Sequence, residues 1–535
     1  MLKTLQIGSA SQVNAQTYHR AGTTSVNVIG GGQYSSSVEI NTGVYNCFEV
    51  ASYDPIDKLA AHVATGCMHN SADRFDAPKC HEETRKAVQE DIFSWTSCGD
   101  PGEVLWLTGP AGTGKSAIMG TLSDKFKKAG QLAATFFFSS YAGTAERMSK
   151  RGFVTTLAYQ LQRHPDFKER ISTKMMSAIR EDPAIFKMSL QEQMEVLILQ
   201  PLRESKGREL STSSTPIVII VDGVDECGED HYDIPSRSRQ NDHVDVLSVL
   251  LQAVQDPAFP FRIIIASRPE TWIRDFFANV SPGTVNEVFL DEKYSPDDDI
   301  RLFLKCKFAD LCRRYGLDPS TWPAEEAIAK LVQDASGQFI YVATVLRFID
   351  TPPQSPQTQL EFVLKIKRST RSNPFSALDD LYTSILESSP NPNVTVVWLK
   401  ALQVIKTFER VDKTDAWGRI QKPLAFSAWT TNRLFEDSAG QAKILLGLPS
   451  LVYTREASFD LPCDSFCYGG ELDLLPSLAA GMSWNAAYAF YHKSFLDYLG
   501  DDLRCGIAFP DTNKDRVEGW IWDRCTRTLM GECPL

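Results

Sequence analysis

Between Trp106 and Ala117 the chain reads WLTGPAGTGKSA, and this segment limits its folding more tightly than any other. Gly109-Pro110-Ala111-Gly112-Thr113-Gly114-Lys115-Ser116 follows the spacing G-x-x-x-x-G-K-[ST]. Glycines at these places let the backbone curl so that its N–H groups converge on negative charge. The lysine neutralises that charge, and the serine hydroxyl offers a hard oxygen to a cation. Such a loop must join a strand to a helix, and both are legible. Val104–Thr108 is the apolar run VLWLT, and a helix is predicted to open at Lys115 and continue through Ala117. Its positive end faces the same anion. The segment reads as a phosphate-binding loop for a nucleoside triphosphate, ATP or GTP, with Mg²⁺.

Two later segments fit around it. Ile217-Val-Ile-Ile-Val-Asp222-Gly-Val-Asp225-Glu226 begins as an unbroken β-branched run, the pattern of a strand buried on both faces. An acid at the end of such a strand lies beside the loop, so Asp222 and Ser116 are the candidate Mg²⁺ ligands. Glu226 is the candidate base or water-orienting group, with Asp225 beside it as a second catalytic carboxylate. The predicted strand Arg262–Ala266 ends in Ser267-Arg268-Pro269. Arg268 is the candidate contact to the γ-phosphate; the plainer alternative is an arginine paired with a surface carboxylate.

Further β-prone runs at Ala133–Phe138 and, more weakly, Val285–Leu290 alternate with helical patterns such as Val154–Gln162 and Val244–Val254. This alternation predicts an α/β P-loop NTPase with a mainly parallel sheet and helices on both faces. After about Ser295 the pattern is helical: Ile328, Leu331, Val332 and Ala335 form one stripe, and Phe339, Val342, Ala343 and Leu346 the next. Further helices are expected around Leu378–Leu386 and Val394–Phe408, after a Pro/Ser/Gln linker at Thr351–Gln359. Arg203–Pro216 and Glu229–His243 read as polar surface loops, and Leu445–Leu499 as a mixture of short strands and helices. The division is a Gly/Ser/Asn-rich flexible tail at 1–50, a helical lead-in at 51–100 and a nucleotide-binding domain at 101–293. A helical domain at 294–390 and a mixed region at 391–535 follow. Within the tail, Val26, Val28 and Val38, Ile40 suggest a small hairpin around Gly-Gly-Gly-Gln; Ser25–Gly43 reads either as loose chain or as a self-templating β segment.

The 535 residues carry 55 Lys and Arg against 67 Asp and Glu, a formal net charge of −12, which does not favour a nucleic-acid partner. No apolar run reaches the length of about 18 residues that spans a bilayer, and the start lacks a signal-peptide core, which points to the cytoplasm. The 12 cysteines are scattered; Cys463 and Cys467 have no companion pair at zinc spacing, so reduced, incidental thiols are expected.

Taken together, CHEETR (Cys80–Arg85), the loop, IVIIVDGVDEC (Ile217–Cys227), IIIASRPE (Ile263–Glu270), SGQFIYVATVLRFI (Ser336–Ile349), LDDLYTSIL (Leu378–Leu386) and YHKSFLDYL (Tyr491–Leu499) resemble NACHT-family NTPases of the STAND class, especially those of filamentous fungi. The resemblance covers roughly residues 50–500 and implies that 391–535 is a winged-helix-like domain with a C-terminal tail. It implies a signal-transducing switch that is closed over ADP, then opens and forms a homo-oligomer on exchange for ATP, as in innate-immunity or heterokaryon-incompatibility signalling. It implies that Thr84 and Arg85 lie near the adenine and ribose, and that His492 reaches the β-phosphate of ADP. From the residues alone, His492 reads equally as a core or surface histidine. Gly337-Gln338-Phe339 stands where many relatives have Gly-x-Pro, which weakens the base contact expected there. Relatives usually end in a sensing repeat array, so either a core-only form or a separate protein partner that supplies sensing or effector function is expected. A nucleotide-binding scaffold without hydrolysis and an ordinary P-loop ATPase are the alternatives.

Overall fold

The computed structural model describes residues 54–74, 77–98, 103–140, 145–205, 216–228, 237–368, 373–408, 427–438, 440–456 and 486–530, with backbone segments at 3–6, 12–20, 23–28, 36–40, 43–47, 413–414 and 420–421. Cys463 and Cys467 lie outside the described residues, as do residues 29–35 and 41–42 of the Ser25–Gly43 stretch.

The hairpin expected around Gly-Gly-Gly-Gln is replaced by two others. Val26 and Val28 lie opposite Thr17 and Ala15, whereas Val38 and Ile40 lie opposite Tyr45 and Gly43. Each observed pairing joins strands separated by two residues rather than seven, which costs less closure entropy.

The centre of the chain is a sheet of five parallel strands: β1 (Val104–Thr108), β2 (Leu132–Phe137), β3 (Ile217–Asp222), β4 (Phe261–Ser267) and β5 (Val285–Phe289), in the order β5-β1-β4-β3-β2. Alternate residues of the β-branched runs feed two apolar cores. Leu105, Leu107, Val218, Ile220 and Ile264 pack with Val88 and Ile92 of α1 (Lys86–Cys98) and with Ile118 and Leu122 of α2 (Lys115–Lys128). Val104, Trp106, Ile219, Val221, Ile263 and Ile265 face α3 (Phe153–Arg163), α4 (Lys168–Glu181) and α5 (Arg237–Val254). Burial on both faces is why these strands show no polar alternation. The weak run near 285–290 is edge strand β5, whose side chains are largely exposed. α6 (Thr271–Ala278) follows β4.

Of the polar stretch at 229–243, residues 229–236 lie outside the described residues, and Arg237–His243 forms the first turns of α5 instead of a loop. Likewise Arg203 and Glu204 end a helix, while 206–215 is not described.

Beyond the sheet come α7 (Pro296–Tyr315), α8 (Glu325–Ala335), α9 (Phe339–Ile349), α10 (Pro356–Leu364), α11 (Ser376–Glu387), α12 (Pro392–Phe408) and α13 (Ala428–Phe435). The antiparallel pair β6 (Val452–Glu456) and β7 (Ala486–Phe490), then α14 (Lys493–Gly500) and α15 (Lys514–Leu529), follow them. α10 begins inside the stretch read as a linker. The Ser355 hydroxyl accepts the Thr358 N–H, and Pro356 occupies the first turn, where a missing N–H costs nothing. One apolar core runs from Ile300 to Val517, so the helices after the sheet and the β6–β7 region pack as one body. Among the described residues no helix is long and apolar enough to cross a membrane.

Candidate functional site

The strand register assembles the site. Thr108 is paired with Ser267, and Asp222 with Ala266 and Phe137. The loop after β1, the acid closing β3 and Arg268 after β4 therefore emerge side by side at the carboxyl edge of the sheet, where open α/β sheets bind ligands.

In the loop, Gly112 has φ +81° and Gly114, at the N-cap of α2, has φ +92°, conformations that favour glycine. The Thr113 hydroxyl donates to the Pro110 carbonyl (3.0 Å). Lys115 Nζ donates to the carbonyls of Gly109 (2.6 Å) and Pro110 (2.8 Å). Burial pulls the Lys115 ammonium down to about 8, opposed chiefly by Asp225. Pro110, Ala111 and Ala117 complete the loop and the first turn of α2.

The Asp222 carboxyl is 3% exposed and is pushed up to about 7 by burial, against a hydrogen bond from Ser116 and the nearby Arg74. Ser116 and Asp222 thus sit together as hydroxyl and carboxyl oxygens, the hard donors that suit Mg²⁺. Glu226 Oε2 accepts from the Ser140 N–H (2.8 Å) and hydroxyl (3.1 Å), which fixes it toward the end of β2. Asp225 accepts the Arg268 backbone N–H at 3.0 Å and lies 3.4 Å from Arg268 Nε. Burial works against its ionisation, but Lys493, Arg268 and Lys115 hold it below the usual carboxylate range.

Arg85 joins the loop to its surroundings. It is 4% exposed with φ +58°, and its Nη2 donates to the Thr113 carbonyl at 2.8 Å. Its backbone N–H donates to Asp299 of α7 (3.1 Å), and its guanidinium lies 4.7 Å from the Phe339 ring centre. Thr84 is buried and donates to the His81 carbonyl at 3.0 Å, which shapes the turn before Arg85. α9 also meets the loop: the Ile340 N–H donates to the Gly112 carbonyl at 3.3 Å. Gln338 is buried there and donates to the Pro374 carbonyl (2.8 Å).

The C-terminal region closes the other side. His492 caps α14, its Nδ1 accepting the Ser494 N–H at 3.0 Å. That bond leaves the proton on Nε2 in the neutral ring. Burial, then Arg268, Arg347, Lys115 and Lys493, pull the imidazole down to about 3. Lys115 of the loop is therefore within its electrostatic reach. On the same helix Lys493 lies 3.7 Å from Asp225, and Asp497 accepts from Arg268 Nη1 at 2.7 Å. Arg268 is thus paired with two carboxylates, one from its own layer and one from α14.

The structure adds Ser140, His243, Lys493 and Asp497 to the residues expected. His243 is fully buried; Trp272 Nε1 donates to its Nδ1 (2.8 Å), and its Nε2 meets the Cys227 carbonyl (2.6 Å). It ties α6, which follows Arg268, to the turn that carries Asp225 and Glu226.

Residues 85–268, from Arg85 to Arg268, match the family described as Nephrocystin 3, N-terminal. No curated protein matches the chain. Similar solved structures include a Walker-type ATPase of Pyrococcus abyssi (15% identity, 61% of this chain and 81% of that chain, TM-score 0.33). PCH-2 of C. elegans (13%, 52% and 69%, 0.29) and AMPPCP-bound DnaA from Aquifex aeolicus (11%, 63% and 86%, 0.27) are others. The five-stranded parallel sheet with its loop between β1 and α2 is an α/β P-loop NTPase architecture.

Proposed function

We propose that this chain is a switch NTPase of the NACHT and STAND kind, binding ADP or ATP with Mg²⁺ and letting the nucleotide govern how the C-terminal region sits on the sheet. The observation that carries this reading is the meeting of three parts at one edge: the loop, Asp222 and Arg268 from the sheet, Ile340 from α9, and His492, Lys493 and Asp497 from α14. A ligand shifts such an arrangement only through contacts that differ between its states, and a phosphate-binding edge touched by two distant segments supplies them.

In this scheme the loop N–H groups and Lys115 hold the phosphates, and Ser116 and Asp222 hold Mg²⁺. When bound between Ser116 and Asp222, Mg²⁺ would supply charge neutralisation to the phosphates. Glu226, anchored by Ser140, orients the attacking water, with Asp225 and Arg268 beside it. Neutral His492 offers an Nε2–H to the diphosphate, and Arg85 with Thr84 borders the nucleoside. Hydrolysis resets the switch and is slow. Exchange for ATP opens the C-terminal region and permits a homo-oligomer, and a separate protein partner supplies sensing or effector function. The hold of Ser140 on Glu226 gives specific support to a second reading, a nucleotide-binding scaffold with little hydrolysis.

The test is to purify the chain without added nucleotide, denature it and identify what is released. Particle mass is then recorded with ADP and with a non-hydrolysable ATP analogue. Stoichiometric ADP from a monomer, and assembly with the analogue, are expected. A nucleotide-free, fast-turning ATPase that stays monomeric in every state overturns the switch.

A further inference from the structure

The contact between α14 and the sheet edge is a crossed pair of charges. The sheet offers an anion, Asp225, and a cation, Arg268; α14 offers a cation, Lys493, and an anion, Asp497. Spaced by four residues, Lys493 and Asp497 share one face of α14. Arg268 Nη1 meets Asp497 at 2.7 Å, and Lys493 Nζ lies 3.7 Å from Asp225. Side-chain exposure is 19% at Arg268 and 4% at Asp225, against 30% at Asp497. The pair is thus sheltered on the sheet side and reachable from α14.

Arg268 sits at the carboxyl end of β4, beside the strand that leads into the phosphate loop. A guanidinium recognises carboxylate and phosphate through the same planar fork. Asp225 already lies against Arg268 Nε, so Asp497 and a γ-phosphate together would crowd three anions around one guanidinium, and their mutual repulsion in a partly desolvated site sets Asp497 and the phosphate in competition. From this geometry we infer that Asp497 is an internal stand-in for the γ-phosphate: it occupies Arg268 beside a nucleoside diphosphate, and a triphosphate must displace it. The inference rests on the proposed function and deepens it, because it makes Asp497 the residue that sets discrimination between ADP and ATP. Displacement also removes one half of the crossed pair, leaving α14 attached at this edge by Lys493. Binding of the γ-phosphate and release of α14 are then reciprocal faces of one coupling.

The experiment uses the full chain with Mg²⁺ and two probes, ADP and the non-hydrolysable analogue AMPPCP, whose dissociation constants are measured calorimetrically. Asp497→Asn keeps the shape and removes the charge. It is expected to tighten AMPPCP by about tenfold, inside the roughly 5- to 150-fold range of coupled sites, and to change ADP by less than about twofold. Asp497→Glu keeps the charge and is expected to stay near the wild-type ratio. A general loosening of the fold would move both ligands together and leave their ratio unchanged. Asp497→Ser repeats the measurement should the amide unfold α14. An AMPPCP-to-ADP ratio unchanged in the folded neutral variants overturns the inference while nucleotide binding by the wild type stands. A wild-type chain that binds neither probe overturns the proposed function and the inference with it.

Discussion

Gly112 is where the phosphate loop and the helical region interlock, and replacing it with alanine separates two costs. At φ +81° a residue with a Cβ is strained, by about 1–2 kcal/mol for an L-residue in the left-handed region. The added Cβ would also stand 2.3 Å from Ile340 Cγ2, inside any normal contact. Ile340 is 8% exposed in the packed start of α9, so it cannot swing into solvent, and such overpacking costs about 1–3 kcal/mol. Gly112→Ala is therefore expected to cost about 2–5 kcal/mol in total. Ile340→Ala deletes the clashing methyl and leaves only its own Cβ, 3.3 Å from the new atom. In that background Gly112→Ala should cost only the backbone strain, and the cycle should show a favourable coupling of about 1–3 kcal/mol. Urea unfolding of the four chains, followed by tryptophan fluorescence, measures it. An equal cost of Gly112→Ala in both backgrounds refutes the argument, because it would mean that α9 does not press on the loop in the folded chain.

Two further outcomes follow from buried charge. His492 is pulled down to about 3 in the fold from its ordinary value near 6.5, so its contribution is complete above pH 6.5 and is lost as pH falls below it. The full shift is worth about 2 kcal/mol between pH 7 and pH 5; His492 keeps some solvent access, and about 1 kcal/mol is expected relative to His492→Gln. Equal pH dependence of the two chains in denaturant midpoints would contradict a neutral, enclosed imidazole. Arg504 makes three hydrogen bonds, at 3.2, 3.0 and 2.6 Å, to Asp379, which is 5% exposed. Arg504→Ala strands that carboxylate and is expected to cost about 3–5 kcal/mol, whereas Arg504→Met with Asp379→Leu recovers most of it. A double variant no more stable than the single one in urea would show that the ion pair is not the cause.

What could be read from the sequence was what short-range chemistry decides. The runs ending at Thr108, Asp222 and Ser267 announce buried parallel strands because both faces are covered, and the loop spacing names its own chemistry. The helix at Pro356 was also readable, since Ser355 before a proline is a start signal, but the proline-and-glutamine texture of 351–359 masked it. Other features depend on distance along the chain. His243 lies among polar neighbours at 237–242 and becomes a buried hinge only when Trp272 folds against it. Ser140 is an ordinary polar residue after β2 until the strand order sets β2 beside β3 and brings it to Glu226. Pro201 carries a local signal of a different kind: it cannot donate to the carbonyl of Leu197, and the turn from Glu195 to Leu199 widens into a π-helix around it.

The same reasoning explains why Lys493 and Asp497 went unread although their helix was singled out. Alone, α14 looks amphipathic, with Phe495, Tyr498 and Leu499 buried and its charges on the other side, the usual picture of a solvated face. Turns that follow two strands more than 200 residues earlier, carrying Asp225 and Arg268, give those charges partners. Each of the four residues has a bland local reading, and the specificity lies in the crossing, where an arginine expected to meet phosphate is met by a carboxylate from another region. A side chain that engages the same cation as the ligand makes closure and ligand binding compete, and that competition is what separates a switch from a simple phosphate site.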